Sequence, residues 1–341
     1  MFARFLTFYA CTLITLISAS QTALAQAQTQ DSAHISYDAR LSTYEYPFEV
    51  KYHTFTSQGQ DLQMAYMYLP PATPEHKIIT LLHGKNFGGA YWERTAQFLN
   101  AQGYGVFIPD QIGFGKSSKP TTYQYSFAAL ANNTKDLMTK LEIEHSIILG
   151  HSMGGMLASR FALLYPDVTT QLILVNPIGL ENYLQYVAYK DIDFFVQSER
   201  KKKPEDIISY QKKNYYDGQW NDAYAALTTP LIGWMQGPDW DKIAQVNALT
   251  YDMIFTQPVI EEFKDFTMPA TLILGTRDRT GPGRGWKKAG IARELGRYDQ
   301  LGAEVIARNP EIQLITLDGL GHLPQYEDFP RFKDALLQAL N

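Results

Sequence analysis

One cysteine, Cys11, stands in the whole 341-residue chain. A lone thiol excludes a disulfide framework and a cysteine-ligated metal site, so a packed core must hold the fold. Positive charge is not in excess either, since 30 Lys and Arg face 35 Asp and Glu. That balance supplies no phosphate-binding surface, and nucleic acid is not an expected partner. The one dense basic run, Arg200-Lys201-Lys202-Lys203, reads as a solvated helix end. No His/Asp cluster has ligand spacing and no cofactor motif stands out, so neither metal nor cofactor is expected. Long apolar runs are also missing: Phe5–Ile17 is interrupted by Thr7, Thr12 and Thr15 and is too short to span a bilayer.

That short run has another reading. Arg4 precedes it, and Ala23-Leu24-Ala25 follows it as an A-x-A cleavage site before Gln26. Residues 1–25 therefore read as a secretory signal peptide. The mature protein is expected to be periplasmic or secreted, with no stable membrane anchor and no thiol. Residues 26–49 form a leader, whose polar, Ala/Gln-rich part over 26–40 is expected to be flexible.

What the chain does have is a repeating order. Thr54-Phe55-Thr56, the turn Ser57-Gln58-Gly59-Gln60 and the alternating Leu62, Met64, Tyr66 and Tyr68 predict a β-hairpin. Short apolar runs follow at Ile78–Leu82, Val106–Ile108, Ser146–Leu149, Leu172–Val175, Thr271–Leu274 and Ile312–Leu317. Such runs without alternation suit strands buried on both faces of a parallel sheet. Helix-length segments lie between them at Trp92–Gln102, Phe127–Leu141 and Met156–Tyr165, which gives an α/β pattern. Between Pro177 and Pro269 no strand run occurs, and a structureless loop of that length is improbable. Residues 181–264 are read as a helical cap inserted into a core of residues 50–180 and 265–341. Most of the cap's aromatic residues are expected in packing, and a few at a substrate pocket.

Gly150-His151-Ser152-Met153-Gly154 follows one strand run directly and precedes a helical segment. A tight strand–turn–helix elbow needs glycines where flanking side chains would clash, and it lifts the serine hydroxyl above the sheet. Ser152 is the candidate nucleophile. A serine needs a base, and the base an orienting carboxylate. The only histidine after Ser152 is His322, in Gly319-Leu320-Gly321-His322 just beyond the last strand run. Asp278 follows the Thr271–Gly275 strand and is the candidate acid. The other common location, after the preceding strand, offers Asn176-Pro177 and no carboxylate before Glu181.

With His83-Gly84, Asp110–Ser117, the Ser152 elbow, Asp278 and Gly321-His322 in this order, the chain from about residue 50 to its end resembles the α/β-hydrolase family with an inserted cap. The resemblance implies a mostly parallel central sheet with helices on both faces. It also implies an oxyanion hole built from the backbone N–H of Met153 and a second from the loop after His83-Gly84. That second donor is assigned to Lys85, with Asn86 as its rival, while His83 orients the loop. The nearest groups by motif are carboxylesterases, C–C hydrolases of aromatic-ring degradation and proline iminopeptidases. Capped dehalogenases and epoxide hydrolases carry Asp at the position of Ser152. The expected activity is hydrolysis of a small-molecule carboxylic ester, which the aromatic-rich cap extends to aromatic acyl esters. C–C bond hydrolysis and iminopeptidase activity are the alternatives. A non-catalytic binding protein on the same fold ranks last, because Ser152, Asp278 and His322 are all present.

Overall fold

A computed structural model describes residues 35–341. The expected signal peptide and residues 26–34 lie outside the described residues. The chain opens with the hairpin β1 (Val50–Ser57) and β2 (Gln60–Leu69), turning at Gln58-Gly59, where both residues have positive φ. Next come β3 (Ile78–Leu82), α1 (Glu93–Ala101), β4 (Gly105–Pro109), α2 (Phe127–Lys140), β5 (Ser146–His151), α3 (Met153–Leu164) and β6 (Thr169–Val175). A helical segment then intervenes: α4 (Tyr183–Tyr186), α5 (Ile192–Lys201), α6 (Pro204–Asn214), α7 (Asp222–Met235) and α8 (Trp240–Thr256). The chain returns through β7 (Ala270–Gly275), α9 (Tyr298–Arg308), β8 (Gln313–Leu317), α10 (Pro324–Glu327) and α11 (Phe329–Leu340).

The eight strands form one sheet in the order β1-β2-β4-β3-β5-β6-β7-β8. Only β2 runs against its neighbours; β3 to β8 are parallel. Because strand side chains alternate, each buried strand feeds two cores. On β6, Leu172 and Leu174 join α2 and α3 on one face, while Ile173 and Val175 join α1 and α11 on the other. Apolar runs without alternation are therefore what this sheet requires.

The helices between β6 and β7 carry their own start signals. Asp191 caps α5 by accepting from the Phe194 N–H at 2.9 Å, Asn221 caps α7 through the Tyr224 N–H at 2.9 Å, and Pro204 opens α6. This segment occupies the interval read from the sequence as an inserted cap.

Of the 26–40 stretch expected to be flexible, residues 35–40 are described, and Tyr37, Ala39 and Arg40 among them are held by hydrogen bonds to the rest of the chain. Leu41 is 2% exposed and packs with Ala39, Ile207, Leu231, Trp234 and Ile243. The Tyr37 N–H donates to Gly233 O at 2.9 Å, and the Tyr46 hydroxyl to Asp110 Oδ2 at 2.7 Å. The polar composition concealed a few apolar anchors, and those anchors decide the outcome.

Candidate active site

The turn between β5 and α3 has no slack. Ser152 takes φ 57 and ψ −123, a region that costs a non-glycine residue about 1–3 kcal/mol. A Cβ on Gly150 would meet Gly154 O at 2.1 Å, and one on Gly154 would meet Leu82 O at 2.2 Å. The two glycines let α3 start against the sheet. The Ser152 carbonyl accepts from the N–H groups of Gly155 (2.9 Å) and Ile178 (3.1 Å), which holds the strained turn in place.

The structure brings the three sequence-predicted residues into one line. Ser152 Oγ lies 2.9 Å from His322 Nε2, and His322 Nδ1 lies 2.6 Å from Asp278 Oδ2. His322 and Asp278 are fully buried. Burial would raise the Asp278 pKa. The facing His322, with hydrogen bonds from His322, Thr280 and Asn176, outweighs burial and holds the carboxyl below its usual value. An ionised carboxylate only accepts, so Nδ1 carries the imidazole proton and Nε2 is left to accept from the serine hydroxyl.

Several supporting groups escaped the sequence reading. Asn176, at the other common location for the acid, donates from Nδ2 to Asp278 Oδ2 at 2.9 Å and accepts from the Gly275 N–H at 2.9 Å. It orients the Asp278 carboxylate beyond the end of β7. The Tyr215 ring stacks on the His322 imidazole with centroids 4.4 Å apart. Buried His151 links two loops. Its Nε2–H donates to His322 O at 2.8 Å, while its Nδ1 accepts from the Tyr91 hydroxyl, which itself accepts from the Gly84 N–H. Burial, with His322 adding to it, lowers His151 to about 3, so the ring stays neutral and its tautomer is fixed by the carbonyl it serves. Glu327 accepts from the Gly321 N–H at 2.8 Å and pairs with Arg277, tying down the loop that carries His322. The spacing of these residues along the chain carries no signal, because the fold alone makes them neighbours.

The loop after β3 comes hard against the serine. A Cβ on Gly84 would lie 3.1 Å from Ser152 Cβ. Lys85 and Asn86 follow it and line the same cavity as Ser152. Met153 is the first residue of α3, so its N–H has no carbonyl to serve within the helix. His83 faces away from the reaction line: Nδ1–H donates to Gly84 O at 2.9 Å and Nε2 accepts from the Gln111 N–H at 3.1 Å. That role is the loop orientation expected for it.

Above the serine lies a cavity of about 340 Å³, within the range of small-molecule sites. Of the helical segment's aromatic residues, Phe194, Phe195, Tyr210, Tyr215 and Tyr251 line it. Thr280, Pro282 and Trp286 add a wall from the segment after β7. Lys202 also lines the cavity and pairs with Glu199 at 2.5 Å, so the basic run is not wholly a solvated helix end.

Sheet order, elbow and site together define an α/β hydrolase, and the chain belongs to the family of the alpha/beta hydrolase fold, which matches residues 77–286. It is a hydrolase. The chain is similar to a probable hydrolytic enzyme from Pseudomonas aeruginosa, with 42% identity and a TM-score of 0.87 over 90% of this chain and 98% of that one. It is 35% identical to a 2-hydroxy-6-oxo-6-phenylhexa-2,4-dienoate hydrolase of Burkholderia cepacia, over 77% of this chain and 87% of the relative. An uncharacterised protein of Mycobacterium tuberculosis is 41% identical over 102 residues, which are 30% of this chain and 29% of that protein's length.

Proposed function

We propose that the protein is a serine hydrolase of small carboxylic esters, working through an acyl-enzyme. The observation that carries this reading is the hydrogen-bonded line Ser152–His322–Asp278 opening on a cavity. Ser152 Oγ attacks the ester carbonyl while His322 Nε2 takes its proton, and Asp278 steadies the imidazolium without accepting that proton. The N–H groups of Met153 and Lys85 receive the developing oxyanion; one such donor is worth about 2.7–4 kcal/mol of barrier. The intermediate collapses, and His322 returns the proton to the leaving alkoxide. Water, activated by the same imidazole, then releases the acid.

The test is direct. A fluorophosphonate probe should label Ser152, and Ser152→Ala should lose labelling and lower kcat by on the order of 10⁶, as in the subtilisin precedent. Near-native ester turnover by Ser152→Ala would end the serine-hydrolase reading.

A second reading is C–C bond hydrolysis, favoured by the relative from Burkholderia cepacia that matches along most of its length. It uses the same residues with a carbon leaving group in place of an alkoxide. Side-by-side turnover of aryl and alkyl esters against a dienoate ring-fission product separates the two. Export rests on Arg4, the short apolar run and Ala23-Leu24-Ala25. Sequencing the protein recovered outside the cytoplasm should give Gln26 first, and an intact Met1 would remove the proposal.

A further inference from the structure

Four charged side chains line the cavity: Lys85, Glu199, Lys202 and Asp206. Three of them are engaged with one another or with the backbone. Glu199 pairs with Lys202 at 2.5 Å, and Asp206 accepts from the Lys203 N–H at 2.8 Å where α6 begins. Lys85 differs. Its Nζ has one hydrogen-bond partner among the described residues, the neutral Asn247 Oδ1 at 3.4 Å, and otherwise lies 5.7 Å from the centre of the Phe114 ring. The ammonium is a single four-carbon stem away from the Lys85 N–H, which adjoins Ser152 through Gly84. A cation so poorly served, on a residue that lines the same cavity as the candidate nucleophile, is a candidate anchor for an anion.

The geometry points to Lys85 as the anchor for a carboxylate carried by the substrate a few bonds from the scissile carbonyl, which makes the preferred substrates acidic esters rather than neutral ones. This inference deepens the serine-hydrolase reading and rests on it for its kinetic consequence. The backbone N–H of Lys85 serves the oxyanion, and its side chain selects the substrate.

The ionisation of the site agrees. Burial lowers the Lys85 ammonium to about 8, with Glu199 opposing and Lys202 adding to the shift. Asn247 on α8 and Phe114 carry no charge, and burial raises the phenols of Tyr210, to about 12, and Tyr251, so both stay neutral at that pH. In the free enzyme Lys85 is therefore charged below pH 8 and loses its proton above it, while a substrate carboxylate stays ionised throughout.

The experiment compares the full chain on matched esters: monomethyl glutarate against dimethyl glutarate for an acid on the acyl side, and acetoxyacetate against propyl acetate for an acid on the alcohol side. In at least one pair, kcat/KM should favour the anion by about tenfold or more, the worth of one charge-assisted hydrogen bond. That preference should collapse in Lys85→Met, persist in Lys85→Arg, and fade in the wild type as pH rises past 8. Equal rates within both pairs, or a preference unmoved by Lys85→Met or by pH, would overturn the anchor while leaving ester hydrolysis standing. A binding arm stands apart from turnover. Ser152→Ala should be protected against heat by glutarate and not by glutaramide, and the further change Lys85→Met should abolish the protection. If no ester turns over and no probe labels Ser152, the hydrolase reading fails. The glutarate result still decides the anchor.

Discussion

Asp278 is the residue whose assignment asks most of its surroundings. Its two oxygens take the His322 imidazole at 2.6 Å, the Asn176 amide at 2.9 Å and the Thr280 N–H at 2.7 Å. With its pKa held below the usual carboxylate value, its contribution to stability is present above about pH 4 and is lost as pH falls through the lowered value. Asp278→Asn should keep the shape but favour the wrong tautomer, lowering kcat by about 10⁴ if the serine-protease example transfers. Combining it with His322→Ala should cost little beyond His322→Ala alone, because the residues act as one unit. Steady-state kcat for the two single variants and the double variant checks this, and a loss below about tenfold in Asp278→Asn would move the acid elsewhere. Ser152 and His322 were legible because an elbow has a local signature and because one histidine follows it. Asn176, Tyr91, His151 and Tyr215 were not, because each earns its place through contacts between residues far apart in sequence.

At the scale of elements, the elbow shows why a pair of glycines can be read from a string of letters. β5 and α3 meet so closely that a methyl on Gly150 would press on the Gly154 carbonyl oxygen at 2.1 Å and on Ala158 Cβ at 2.7 Å. Gly150→Ala should cost about 3 kcal/mol, the upper range for overpacking, and reduce fluorophosphonate labelling of Ser152 as the turn is pushed out of line. Gly285→Ala is the matched control: a Cβ there meets nothing within 4 Å, and the change should stay within about 0.5 kcal/mol. Urea denaturation of both variants, with labelling rates, checks the contrast; equal midpoints would refute the steric account. The strands were legible for a related reason, since burial on both faces writes itself as an unbroken apolar run. The helical segment between β6 and β7 was legible as an interval without strands. Its contribution to the cavity was not, since Tyr210 and Tyr251 are indistinguishable by sequence from packing residues such as Tyr216 and Tyr224, whose rings stack 3.7 Å apart.

For the whole molecule, the segment before the first strand acts as a clasp between the two parts of the chain. On one side the Tyr37 N–H reaches Gly233 O, the Ala39 N–H reaches Asp239 Oδ2 at 2.7 Å, and Trp234 Nε1–H donates to Asp38 O at 3.0 Å, all on or beside α7 and α8. On the other, Arg40 Nε–H donates to Lys116 O at 2.6 Å and Tyr46 to Asp110, in the loop after β4. Leu41 packs on the helical side, among Ile207, Leu231, Trp234 and Ile243. A chain beginning at Gln26 keeps every one of these contacts, whereas a chain beginning at Val50 loses them all. The shorter chain should be less stable by on the order of 4 kcal/mol, the sum of one buried leucine and a few hydrogen bonds. Its effect on turnover should be uneven. Ser152, Asp278 and His322 hang on the ends of β5, β7 and β8, which the clasp does not touch, so kcat should hold. α8 supplies Tyr251 and Ile254 to the cavity wall and Asn247 to Lys85, so a loosened α8 should raise KM. Urea midpoints and the separate kcat and KM of both chains on one ester measure the two effects. Leu41→Ala, expected to cost about 2–5 kcal/mol, tests this apolar packing alone if the shorter chain does not fold. A shorter chain with an unchanged midpoint would show that the clasp rests on the surface without holding it, and a fall in kcat at constant KM would mean that it reaches the catalytic line by a route these contacts do not contain.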